Sequence, residues 1–507
     1  MKQRSKRRMS RILILTSLVL LLTGLSSPVS AAIKTTALTN ANSANSIPVP
    51  VSEMANTGNT AVLQNGDTVY YGVYPQGKIT NIAGLTENVD YVVIPGENYA
   101  IQPIPWRVLD NGSGGLFLLS EDNLAAMPYH DVDPAQSITW EQSTVRSWLN
   151  GYPSSENAAG VNHDYADTGL FNSAAGFNIN AFTAAERTAI KTTALTNANN
   201  ANGTPGGNST NDKIFLLSLE DTQGVSRYFP TGQAGLKAYN TDYVGGHPDM
   251  YAPGDSDFWW LRSPGTSADQ ARAITESGDN ALGIYVDDSA MAIRPAFNLD
   301  LSSVLFSSDA SGTMKSDATV GGVLVGVVNP TGAVKMTVLN DTGLGLTVTD
   351  TRVRTAAPGA TVSIAYTGAK TGANRSVSVM LCDSTGAPLY YGRPADCTTN
   401  ASGIASFTVP STLPAGSYTI KIFNEEVNGA YYTDFASTPQ SIALTVGASY
   451  KSGDINQDGD VNIVDLNILL TNFGQMSPAI SNPRADINKD GDVNIVDLNI
   501  LLTNFGT

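Results

Sequence analysis

DINQDGDVNIVDLNILLTNFG, running from Asp454 to Gly474, returns 32 positions later as DINKDGDVNIVDLNILLTNFG, from Asp486 to Gly506. The copies differ only where Gln457 becomes Lys489. Each opens with D-x-N-x-D-G and carries a further aspartate at its twelfth position. A hard cation asks for about six to eight oxygen ligands from a chain that turns sharply around it, and this spacing supplies them. In the first copy Asp454, Asn456 and Asp458 hold positions 1, 3 and 5, and Gly459 at position 6 permits the turn. Asp460 offers its carbonyl at position 7, Asn462 follows at 9, and Asp465 closes the loop at 12. The second copy repeats the set with Asp486, Asn488, Asp490, Gly491, Asp492, Asn494 and Asp497. Two such loops predict two calcium ions.

An EF-hand loop normally ends in glutamate, whereas both loops here end in the shorter aspartate. The residues before each loop are mostly Gly, Ser, Pro and polar, so no incoming helix is signalled. Only the exiting helix is, from Ile463 and from Ile495, each closed by Gly474 or Gly506. Tandem loop–helix units with aspartate at position 12 resemble the type I dockerin over residues 451–507. The resemblance implies a small all-α, calcium-folded module that docks onto a cohesin domain of a scaffold or surface protein. Cellulosomes, which serve polysaccharide catabolism, use such modules.

The match departs from familiar dockerins where the partner is read. Positions 10 and 11, commonly hydroxyl residues, are Ile463–Val464 and Ile495–Val496, and the expected basic pair is Leu470–Thr471 and Leu502–Thr503. Leu466, Leu469, Leu470 and Phe473 fall at helical spacing and are expected as core. Val464 and Ile468 form either an exposed binding stripe or further core. The candidate partner-binding residues are therefore Ile463, Val464, Ile468 and Thr471, with Ile495, Val496, Ile500 and Thr503 in the second copy.

At the other end, Lys2, Arg4, Lys6, Arg7, Arg8 and Arg11 precede an apolar run from Ile12 to Leu25, then Val29-Ser30-Ala31. This is the pattern of a secretory signal over residues 1–31, too short to span a bilayer comfortably. Export is expected to leave no inserted segment. Loss of those six basic residues leaves 23 Lys and Arg against 45 Asp and Glu, a net charge of −22. That surface disfavours nucleic acid and anionic membranes. Residues 32–60, rich in Thr, Asn, Ser and Ala, read as a disordered arm. The string AIKTTALTNAN at Ala32 recurs at Ala189 and is too short for a structural repeat.

Between the ends the chain reads as multidomain, an α+β domain followed by an all-β one. From 61 to 305, strand-like runs such as VYYGVYPQ and IPWRVLD alternate with two amphipathic stretches, TWEQSTVRSWLNG and NAFTAAERTAIKT. W-x-x-S-x-x-R-x-W-L-N, W-W-L-R-S-P-G and R-P-A-F resemble an uncharacterised domain-of-unknown-function family of secreted Gram-positive proteins. More loosely, their order looks like the C-type-lectin and formylglycine-generating-enzyme fold. Residues 306–333 read as a linker or crossing strand. Seven short strands between Gly, Pro, Asn and Asp turns predict an Ig-like β-sandwich over 334–447, with Tyr418 as a corner tyrosine bonding back to the main chain. Cys382 and Cys397 sit in one strand–turn–strand stretch, either as a local disulfide or as free buried thiols.

No catalytic constellation is recognisable. His130, His163 and His247 lie in polar, turn-rich settings without metal-ligand spacing. Residues 61–305 contain no cysteine, so the catalytic cysteines of formylglycine-generating enzymes have no counterpart. The carboxylates Glu141, Glu186, Glu220, Asp257 and Glu276 cannot be paired from sequence. Aromatics are abundant: Trp106, Trp140, Trp148, Trp259 and Trp260 are either core or sugar-stacking surface, and Tyr228, Tyr239, Tyr243 and Tyr251 are the candidate ligand-binding set. The expectation is a secreted, non-catalytic protein that binds a glycan or surface ligand and docks through its tail. The alternative is a dockerin-borne glycoside hydrolase, since dockerins often accompany polysaccharide-degrading enzymes.

Overall fold

The computed structural model describes residues 63–94, 96–112, 115–130, 138–151, 175–223, 228–229, 232–330, 332–447 and 451–507. The expected signal, the arm and His163 lie outside them. The described chain is mostly β-sheet, with few and short helices, followed by the C-terminal loop–helix pair. The helices among the described residues of 63–305 span seven residues or fewer, so the described part of that region is far poorer in helix than the α+β expectation.

Strands β1 (Thr68–Ile79), β2 (Glu97–Gly112) and β3 (Gly115–Ser120) form an antiparallel meander, which β4 (Ala296–Leu299) extends. Their apolar residues alternate inward and meet a dense aromatic core in which all five tryptophans are wholly buried. Each such side chain contributes about 1.5–3 kcal/mol or more through burial. A separate five-stranded sheet contains Trp259–Pro264 and Gln270–Ile274, with Asn280–Tyr285 at its edge.

The tryptophan motifs explain themselves as framework. Ser143 caps the helix Thr144–Asn150, its hydroxyl accepting from Arg146 N. Trp140 Nε1 and Arg146 Nε both donate to Asp212, each at 2.9 Å. Asn150 accepts from the backbone N–H of Lys213 and Ile214. Trp259 donates to Leu236 O and Trp260 to Met127 O, while Arg294, fully buried, donates to Ser120 O and Glu121 O. Tryptophan is large and carries one donor, which a carbonyl or carboxylate meets for four of the five buried rings; Trp148 Nε1 has no acceptor among the described residues.

The sequence after 305 does not leave this body. Strand β5 (Val304–Asp309) pairs antiparallel with β6 (Val334–Leu339), and β6 lies parallel to β1 with Val69 opposite Val334. Val334, Met336 and Val338 enter the tryptophan core. The expected linker is thus structured: it holds most of β5, the short helix Thr313–Asp317 and a bridge of Val325–Gly326 to the strand Pro388–Asp396. Its many Ser, Gly and Thr residues concealed short elements whose apolar side chains, Leu305, Phe306, Ala318 and others, pack around Tyr391 and Phe423. Among the described residues one mixed sheet of fifteen strands runs through both regions.

Beyond β6 come β7 (Thr361–Thr367), β8 (Arg375–Cys382), β9 (Pro388–Asp396), β10 (Gly403–Thr408), β11 (Gly416–Glu426), β12 (Asp434–Ala436) and β13 (Gln440–Val446). Strict alternation in β7 and β13 turns Val362, Ile364 and Tyr366 toward Ile442, Leu444 and Val446 across a shared core. Strand β9 is the second strand of the expected strand–turn–strand stretch, β12 was not legible in the sequence, and Tyr418 does bond back, its hydroxyl donating to Pro414 O at 2.9 Å.

The disulfide expectation fails on register. The β8–β9 hairpin puts Cys382 beside its turn, opposite Pro388, whereas Cys397 is tied to Arg375 O at the far end. Seven residues of strand separate them by roughly 20 Å, several times what a disulfide bridges. They also face different apolar clusters, and both are free and buried. Burial pushes the Cys382 thiol up to about 11, so it is inert at neutral pH. Unfolded without reductant, the chain should titrate two thiols, and the native chain should react at neither.

Candidate functional site

The tail builds each loop around its last aspartate. Asp465 is wholly buried; one carboxylate oxygen accepts from Ile455 N and Asn456 N, the other from Asn462 N. Asn462 in turn accepts from Val464 N and caps the helix α1 (Ile463–Asn472). One side chain therefore ties the start of the loop to the start of the helix. Asp497 does the same for Ile487, Asn488 and Asn494, ahead of α2 (Ile495–Thr503). Gly459 and Gly491 take φ of 101° and 98°, which explains glycine at position 6.

One carboxylate oxygen from each of Asp454, Asp458 and Asp465 lies within 4.8 Å of the other two. Asp454 also accepts from Asp458 N and Gly459 N, which folds the loop inward. The second loop repeats these bonds, from Asp490 N and Gly491 N to Asp486. The Asp460 N–H and the Asn456 amide hold the Asp458 carboxyl below its ordinary value, and the Asn488 amide and Asp492 N–H do likewise for Asp490. A converging set of anionic oxygens with an amide oxygen at position 3 suits calcium, a hard cation.

The two units interlock reciprocally. Gly474 N donates to Val493 O at 2.7 Å and Gly506 N to Val461 O at 2.8 Å, so each helix ends on the other's loop. Ile455, Val461, Leu469, Val493 and Leu501 form the small core between them.

The outward faces differ from the expected ones. Leu470 and Phe473 are exposed, at 51% and 45%, because Asp465, Leu469 and Asn472 set the inward side of the helix and Phe473 lies past its end. Ile463 and Val464 are exposed as well, and so are their counterparts Ile495, Val496, Leu502 and Phe505. Thr471 and Thr503 are exposed beside them, whereas Ile468 and Ile500 are half-buried, Ile468 against the core.

In the large body the candidate ligand tyrosines do not form one surface. Tyr243 is buried against Tyr74 and Tyr99, Tyr228 packs edge-on to Phe117, Tyr251 is half-buried, and Tyr239 is exposed. His130 is buried beside Thr144, and burial lowers the pKa of His247. Buried acids are committed to structure: Glu186 receives Gly72 N and Thr183 N, and Asp257 receives Asn240, Tyr251 N and Phe258 N. Glu220 and Glu276 are exposed, and Glu141 accepts from the Asn208 amide.

Residues 113–301 match the family described as domain of unknown function DUF6273, and residues 452–505 match the dockerin type I domain. No curated protein matches the chain. The chain thus carries a C-terminal type I dockerin preceded by a DUF6273 domain, and the dockerin indicates docking to a cohesin-bearing assembly. Dockerins of this type bind calcium. Among the described residues no helix is long and apolar enough to cross a membrane.

Removing one closing aspartate should empty one site. Asp465→Ala or Asp497→Ala in the intact chain should lower calcium stoichiometry from two ions to one, read by calorimetry. Where free calcium stands about 100-fold above its Kd, each lost site removes about 2.7 kcal/mol of stabilisation.

Proposed function

We propose that this chain is an exported, non-catalytic modular protein that meets a glycan or surface ligand with its body and docks by its calcium-folded tail onto a cohesin-bearing extracellular assembly. The body comprises the 61–305 region and an Ig-like region after it. Export would remove residues 1–31. The observation that carries the docking reading is one apolar face presented twice. Ile463, Val464, Leu470 and Thr471 on α1 match Ile495, Val496, Leu502 and Thr503 on α2, and the reciprocal glycine bonds relate the two units by a pseudo-twofold. Covering each half-exposed apolar side chain adds on the order of 1 kcal/mol to binding. A partner that reads this face by apolar contact, rather than through hydroxyl and basic side chains, fits it best. Either helix can present it.

Calcium enters this reading through Asp454, Asn456, Asp458, Asp460, Asn462 and Asp465, with their counterparts in the second loop. The ion offsets the carboxylate repulsion that opposes loop closure. Val464→Asp with Leu470→Asp should leave cohesin binding largely intact, and adding Val496→Asp with Leu502→Asp should abolish it. Loss from the first pair alone would refute equivalent faces.

The binding role of the body rests on its acids serving as structural acceptors and on exposed Tyr239. Its strands continue into the later region, so the intact chain is the right sample. On a glycan array it should retain a ligand and release no reducing sugar; reproducible release would turn the reading to a glycoside hydrolase.

A further inference from the structure

Two lysines and two carboxylates are buried together where the linker stretch meets the later strands. Lys315 comes from the helix Thr313–Asp317, Lys335 from β6, Glu425 from β11 and Asp434 from β12. All four side chains are 0–1% exposed. Both Nζ atoms lie 2.8 Å from Asp434 Oδ2, and Lys315 Nζ is also 2.6 Å from Glu425 Oε1. The other oxygen, Asp434 Oδ1, accepts from Asn428 N at 2.7 Å. Glu425 Oε2 accepts from the Tyr391 hydroxyl at 2.6 Å and from Ser378. The Phe306 ring lies under Lys315 Nζ at 4.5 Å.

We propose that Lys335 and Asp434 condense into an intramolecular amide that cross-links β6 to β12. The strands are neighbours, parallel, with Thr337 opposite Asp434, so the bond would span adjacent strands on one face.

The surroundings assign the roles. Lys335 touches a single carboxylate, and its other partner is the neutral Gly429 carbonyl, at 2.6 Å. Burial lowers its pKa, which favours the free amine that a nucleophile requires. Lys315 is the opposite case: burial works against its charge, but Asp434 and Glu425 outweigh it and keep the ammonium. Lys335 passes one proton to Asp434 Oδ2 across their 2.8 Å contact, the freed amine bonds to Asp434 Cγ, and the Cγ–Oδ2 bond breaks. The Asn428 N–H holds the oxyanion that develops on Oδ1. Lys315 gives the departing Oδ2 its second proton, and Glu425 takes the proton that the amide nitrogen sheds and returns it to Lys315 at 2.6 Å, so both end unchanged. The ammonium and carboxylate together lose one water, and no proton or electron enters from outside. Groups fixed at this distance react as if at effective molarities of about 10⁵–10⁸ M. A buried ion pair repays its desolvation poorly, and amide formation removes that cost. A cavity of about 300 Å³ lined by Lys315, Lys335, Asn428 and Gly429 gives the water an exit.

The test is mass spectrometry of the full chain after denaturation and digestion. The expected result is a mass one water below the sum of its residues and a branched peptide joining Lys335 to Asp434. Glu425→Gln, nearly the same size, should fold by circular dichroism yet keep its full mass. Folded wild-type chain at full mass, or a branch at any other residue pair, would overturn the proposal.

Discussion

Carboxylates gathered out of water must be met by positive charge, and this acidic chain meets that constraint in two ways. In the dockerin loops the acids converge on one position, and dockerins of this type bind calcium, so the balancing charge there comes from outside the chain. At the heart of the later strands Lys315 and Lys335 stand against Glu425 and Asp434, and the charge is balanced from within. The first arrangement is reversible and responsive to its surroundings. The second is built from the chain itself, with the Phe306 ring under Lys315 and the Tyr391 hydroxyl on Glu425.

The same contrast separates the parts that act from the parts that hold. Trp140, Arg146, Trp259, Trp260 and Arg294, which make the DUF6273 region distinctive in sequence, are occupied in positioning backbone carbonyls and Asp212. Strand β6 carries that framework onward, since Val334 and Met336 pack with the tryptophans while Lys335 points to Asp434. The body is therefore one mechanical unit across the 305–334 stretch. The exposed apolar residues of the tail have no such commitment, and that leaves them available to a partner.

How far the sequence could be read depended on how local each constraint was. Both loops, their turn glycines and the helices that leave them were legible because every position of the loop pattern lies within twelve residues of the first; that Asn462 and Asn494 also cap those helices was not. Leu470 and Phe473 were misplaced because spacing gives the width of an apolar face but not which side turns inward; buried Asp465 decided that. Cys382 and Cys397 looked paired because they are close in sequence, yet hairpin register sends them to opposite ends. Tyr243 read as a surface aromatic from its Gly- and Asp-rich neighbours, although Tyr74 and Tyr99 enclose it. The lysine–carboxylate cluster was invisible, since its members come from four elements about 120 positions apart in all, and no motif links them.

The central claim is that docking is conditional on calcium. The most direct measurement is calorimetric titration of the intact chain into a cohesin-bearing protein, first in millimolar calcium and then after chelation. The account predicts a saturable complex in calcium that disappears with chelator and returns when calcium is restored. A complex of unchanged affinity in chelator would contradict it.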